Sequence, residues 1–141
     1  MPLVSPIVRV HGVPYLDGGL ADSIPVKRAQ ALGNEKIIVI LTRNPGYRKK
    51  PTSRGVKSLY KRAYKKYPNL VRTAIKRSMI YNQQMELVEK LEDEGKIFVI
   101  RPLIPTVSRL EKNYDALMHF YEHGYRLMKR QYQALQEYME K

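Results

Sequence analysis

The chain contains no cysteine. That excludes disulfides and thiolate chemistry, and it favours an intracellular setting. No run of about 18 apolar residues is present, so nothing in the sequence reads as a membrane span. The N-terminus, Met1-Pro2-Leu3-Val4-Ser5-Pro6, lacks a basic region followed by a long apolar stretch, and so does not read as a secretory leader. A third shortage is local. Between Lys36 and Met85 there is no aspartate or glutamate, while the same stretch carries 14 lysines and arginines. A surface built from that stretch attracts phosphate groups, whether on anionic lipid or on nucleic acid. The expected location is cytoplasmic, with peripheral contact to a membrane.

What is present suits a folded domain. The 141 residues are 43% hydrophobic and carry a net charge of +13. Length and composition fit one domain over residues 1–141. Ile7-Val8-Arg9-Val10 and Val13-Pro14-Tyr15-Leu16 are short β-prone runs around His11-Gly12, a hairpin pattern. Pro25 and Gly33 bracket a short helix. Ile37-Ile38-Val39-Ile40-Leu41 is apolar throughout and reads as a parallel strand covered on both faces. Val56, Leu59, Tyr60, Ala63, Tyr64 and Tyr67 follow helical spacing, with Pro68 as the stop. Residues 69–94 read as a longer helix closed by Gly95, with Val71, Ala74, Ile75, Tyr81, Met85, Val88 and Leu91 inward. Ile97-Phe98-Val99-Ile100 is a second buried strand. Residues 113–140 read as a closing helix with Leu117, Phe120, Tyr121, Gly124, Met128 and Leu135 on its inner side. Strands alternating with helices indicate an α/β layered fold, with too few strands to cover its own sheet edge.

Tyr15-Leu16-Asp17-Gly18-Gly19-Leu20-Ala21-Asp22-Ser23-Ile24-Pro25-Val26 places a carboxylate at a strand end, before two glycines and a helix start. Taken alone, Asp17-Gly18-Gly19 is a turn with a capping aspartate. Glycines there also permit positive φ and close backbone approach. In its setting, the segment resembles the Asp-Gly-Gly/Ala block of the patatin-like phospholipases, closest to their bacterial branch. The similarity extends through residues 41–51, Lys66-Tyr67-Pro68 and Gly95-Lys96-Ile97-Phe98-Val99-Ile100-Arg101-Pro102. Plant patatins have Asn-Asn-Pro where this chain has Ser23-Ile24-Pro25. The resemblance implies a partial three-layer patatin-like sheet with flanking helices, lacking the N-terminal nucleophile half. It implies a Ser–Asp dyad acting on lipid or acyl-ester substrates without metal or organic cofactor. Asp17 would be the base, and Gly18 and Gly19 would shape the turn that aims it. None of the six serines sits in G-x-S-x-G, and no Gly-rich oxyanion loop precedes Asp17. The resemblance therefore implies a chain that has lost its N-terminal half, or one half of a split protein, with the missing half or a partner covering the sheet edge.

Other signals compete. His119-Phe120-Tyr121-Glu122-His123 matches H-x-x-E-H, but Arg126 and Arg130 share that helix face and disfavour a bound cation, so no metal is expected. Asp22 is expected to cap the helix after it. Lys57, Lys61, Arg62, Lys65 and Lys66, beside the Tyr60, Tyr64 and Tyr67 stripe, fit an interfacial helix on an anionic membrane. The plain reading of the same helix is a solvated basic face over buried tyrosines. No known nucleic-acid motif is present, and nucleic acid is not expected as a partner. A non-catalytic basic module that docks on anionic membranes or partner proteins is the alternative to an enzyme fragment. In either case, hydrolysis of a short-chain p-nitrophenyl ester by this chain alone should stay at background. Turnover abolished by Asp17→Ala would contradict that expectation.

Overall fold

The computed structural model describes residues 6–108 and 110–140. Of the segment read above for a leader, residues 1–5 lie outside them. The strands are β1 (Val8–Val10), β2 (Val13–Tyr15), β3 (Ile38–Ile40) and β4 (Phe98–Ile100). The α-helices are α1 (Val26–Ala31), α2 (Arg54–Ala63), α3 (Pro68–Asp93) and α4 (Tyr114–Glu140). The chain forms two compact units, one of Met1–Pro25 with Arg48–Leu87 and the other of Val26–Tyr47 with Val88–Lys141.

In the first unit, β1 and β2 form an antiparallel hairpin in which Val8 faces Tyr15 and Val10 faces Val13. His11 and Gly12 make the turn, both at positive φ, which glycine accepts freely and histidine only locally. The core holds Leu20, Ile24, Val71, Ala74, Tyr81 and Met85. Four of these six come from α3, at the spacing that puts them on one stripe. The loop before α2 is tied to α3 in both directions. The Lys49 backbone N–H donates to Asn82 Oδ1 at 2.8 Å, and Asn82 Nδ2 donates to the Lys49 carbonyl at 3.1 Å. The Lys49 ammonium also lies 3.8 Å from the centre of the Tyr81 ring, a cation–π contact.

The helix pattern across residues 56–67 resolves differently from the expectation. α2 stops at Ala63, and Pro68 opens α3 rather than merely ending its predecessor. Proline has no N–H to lose in a first turn, and its fixed φ is already helical. At the far end of α3, Gly95 takes φ 66° and stops the helix as expected.

In the second unit, β3 and β4 pair in parallel, with Val39 opposite Val99. Ile37, Val39, Leu41, Ile97 and Val99 are buried, joined by Val26, Val88, Leu91 and Leu127. The expectation of a strand covered on both faces is corrected here. Side chains alternate across a strand, and β3 buries only one of its faces. Ile38 is 42% exposed and Ile40 73% exposed. Among the described residues, sheet is confined to these two-stranded pairs.

The C-terminal end of α4 is anchored by Tyr138. Its hydroxyl accepts the Ile37 N–H at 3.0 Å and donates to the Lys96 carbonyl at 3.1 Å. Its ring lies 5.8 Å from that of Phe98, and the Lys36 ammonium sits 5.1 Å from its centre. Asn44 Nδ2 donates to the Pro102 and Ile104 carbonyls at 3.1 and 2.7 Å, joining the loops that follow the two strands. Arg101 pairs with Glu92. Burial pushes the Arg101 guanidinium below its usual range, and the Glu89 carboxylate opposes that shift.

Met85 and Val88 are the most completely buried large side chains. Met85→Ala should lower the unfolding free energy by about 2–5 kcal/mol in urea titration. Met79→Ala, at an exposed position on the same helix, should stay within about 0.5 kcal/mol of the parent.

Candidate functional site

Asp17 ends the hairpin segment and caps a single 3-10 turn, Gly18–Leu20. Its Oδ1 accepts the Gly19 N–H at 2.9 Å, and its carbonyl accepts the Leu20 N–H at 3.0 Å. The carboxylate is exposed. The turn is braced from two sides. Arg77 Nε on α3 and Ser23 Oγ both donate to the Gly19 carbonyl, at 3.0 and 2.7 Å. Neither Gly18 nor Gly19 takes the positive φ that glycine permits. Gly18 has open space where a Cβ would stand, while a Cβ on Gly19 would lie 3.2 Å from Asp17 Oδ1. Gly19 is therefore matched to the close approach of the capping carboxylate. Asp22 accepts from Gln84 Nε2 on α3, in place of the helix-capping role expected of it.

The basic residues gather on and after α2. Ser53 caps this helix, its Oγ accepting the Val56 N–H at 3.4 Å. Lys61, Arg62, Lys65 and Lys66 are exposed and Lys57 is half-buried. Among the described residues none of the five is ion-paired. No residue of α2 is buried. Val56 and Leu59 stay in water, and Tyr60 and Tyr64 are half-buried. A core stripe would not look like this, since each fully buried side chain of that size gains about 1.5–3 kcal/mol.

Sequence reasoning missed the apolar surface beside this helix. Tyr67 and Leu70 join Ile7, Pro14, Tyr15 and Leu16 around a shallow cavity of about 140 Å³. One face of the hairpin carries Val8, Val10, Val13 and Tyr15, all exposed. The alternation was legible in the sequence, but it does not say whether the apolar face is covered.

The H-x-x-E-H segment lies on α4. His119, Glu122, His123, Arg126 and Arg130 line a cavity of about 220 Å³ with Ile104. His123 Nε2 accepts the Leu103 N–H at 3.1 Å, and Glu122 pairs with Arg126 at 3.0 Å. Among the described residues no group of three or more potential ligands could hold a metal ion.

Residues 67–140 match the family described as "Domain of unknown function (DUF6363)". The match spans more than half of the chain, and the chain belongs to that family. No curated protein and no solved structure matches. The resemblance to patatin-like phospholipases is thereby corrected, because the family found is DUF6363 and neither a patatin nor a phospholipase family matches. The quoted segments, an Asp-Gly-Gly turn and apolar strands between basic loops, are common local patterns.

As a cap, Asp17 makes a specific prediction. Asp17→Ala should cost about 0.5–2 kcal/mol in thermal or urea unfolding, whereas Asp17→Asn, which keeps an acceptor oxygen, should cost only a fraction of that. Gly19→Ala should destabilise as well, by crowding the carboxylate.

Proposed function

We propose that this chain is a basic module that docks peripherally on anionic membrane surfaces. The observation that carries the proposal is α2, whose apolar side chains remain in water while its lysines and arginines stand unpaired. A soluble helix normally buries its apolar stripe, and one that leaves it exposed beside a row of cations has the makeup of an interfacial helix. The exposed hairpin face and the cavity around Tyr67 add apolar groups in the same unit. The run from Lys36 to Met85 contains no acid to repel a phosphate layer. Among the described residues no helix is long and apolar enough to cross a membrane, so the proposed contact through these helices is peripheral.

Each cation near an anionic leaflet contributes about 1 kcal/mol. The purified chain should therefore co-sediment with vesicles containing phosphatidylglycerol and not with vesicles of phosphatidylcholine alone. Binding should fall as salt rises towards 0.5 M. Lys61→Gln/Lys65→Gln/Lys66→Gln should weaken binding on the order of 100-fold. Asp17→Asn should leave it unchanged. Equal binding to both vesicle types would overturn the proposal, and so would a stronger, similarly salt-sensitive affinity for single-stranded nucleic acid.

A further inference from the structure

We infer that α4 is a self-association helix, joining two copies of this chain through an antiparallel two-helix coiled coil. The residue spacing along α4 is that of a coiled coil. Met118, Tyr125, Tyr132 and Met139 recur every seven residues, and so do Tyr114, Tyr121, Met128 and Leu135. The two series interleave at alternating steps of four and three, which is the heptad pattern of positions a and d. The pattern runs without a polar interruption from the first turn of α4 to its last.

This seam is not the face on which α4 packs. Leu127 is buried, and Ala116, Phe120, His123, Gln131 and Tyr138 are half-buried with it on the inner side. At 100° per residue the seam lies roughly 120° around the helix from that side. Tyr114, Tyr121, Tyr125 and Tyr132 are 56–71% exposed. Met139 is exposed too, while Met118, Met128 and Leu135 are half-buried, so an apolar strip stays largely open along a helix of 27 residues. Midway along it, Tyr125, Met128, Lys129 and Tyr132 enclose an apolar depression of about 200 Å³, a hole of the kind a side chain from a facing helix fills.

Charge selects a second copy as the occupant, and it selects the orientation. The chain carries +13 overall, which opposes self-association over most of its surface. α4 is different, with Arg126, Lys129 and Arg130 against Asp115, Glu122, Glu137 and Glu140. In an antiparallel pair centred between Arg126 and Leu127, Tyr125 meets the partner's Met128, and Tyr121 meets the partner's Tyr132. Met118 then meets the partner's Leu135, and Tyr114 the partner's Met139. The flanking e positions bring Glu122 beside the partner's Lys129, and symmetry repeats that pair. A parallel pair would oppose e to g positions instead. There Glu122 and Lys129 would meet Leu117 and Gly124, with no charge partner.

Sedimentation equilibrium of the full chain tests this, with circular dichroism confirming that each variant keeps its helix. The parent should be dimeric at about 50 µM. Tyr125→Glu/Tyr132→Glu should be monomeric there with unchanged helicity, because both side chains are already exposed. Glu122→Lys and Lys129→Glu should each weaken the dimer about 10-fold, since each turns two attractive pairs into repulsive ones. The double swap Glu122→Lys/Lys129→Glu should restore it to within about 3-fold. The chain has no cysteine, so an introduced one reports its own position. Chains with Glu122→Cys mixed with chains with Lys129→Cys should be joined by a short bismaleimide. Chains with Tyr132→Cys should not join to one another, because an antiparallel pair holds those positions about 16 Å apart along the axis. A monomeric parent at that concentration, a swap that fails to restore, or self-linking at Tyr132→Cys would each overturn the inference.

Discussion

A strand has two faces, and β3 buries only one of them. That limit governs much of what this chain presents to its surroundings. β3 and β4 turn Val39 and Val99 inward and leave Ile38 and Ile40 in water. The hairpin of β1 and β2 has the same difficulty in a smaller space, and its valine face is open. One long stripe on α3 supplies more buried side chains than any other element. Val71, Ala74, Tyr81 and Met85 serve the first unit, and Val88 and Leu91 serve the second. A single helix stripe shared by two small cores leaves apolar surface over, and such surface invites a partner.

The leftover apolar groups stand on different electrostatic ground, and that separates their proposed partners. Around α2 the nearby sequence is basic and free of acids, so exposed Val56 and Leu59 sit among cations suited to the proposed anionic layer. Along α4 the charges nearly balance, so its tyrosine and methionine seam meets little repulsion from a copy of itself. In both proposed contacts hydrophobic exposure would supply the drive to associate, and charge would choose the partner.

Elements with strong periodicity could be read from the sequence. The hairpin turn at His11-Gly12, the α3 stripe, its stop at Gly95 and the extent of α4 all follow from spacing and from residues with special backbone freedom. The coverage of β3 could not be read. An all-apolar run carries no alternation to show which face is open, and the answer depends on how many strands join the sheet. The candidate site was legible only in part. The cations after Ser53 were identifiable as a basic face, but the tyrosines beside them could have been core or surface. Asp17 was identifiable as a residue at a strand end. Its local capping bond to Gly19 is a matter of a few tenths of an ångström, and no residue pattern encodes the direction of a carboxylate.

α4 shows how one sequence can hide two answers. The inner side expected from spacing mixed Phe120 with Tyr121, Met128 and Leu135, because two apolar stripes share the helix and a single helical period fits parts of both. The structure separates them through polar anchors. The Tyr138 hydroxyl is bonded to Ile37 and Lys96, and His123 Nε2 to the Leu103 N–H. Rolling α4 to bury Tyr121 and Tyr132 would break all of these bonds and expose Leu127. Breaking the bond to Ile37 would leave a part-buried polar group unsatisfied, at a cost of about 1–3 kcal/mol. The seam is therefore held outward by the same contacts that fix the inner face.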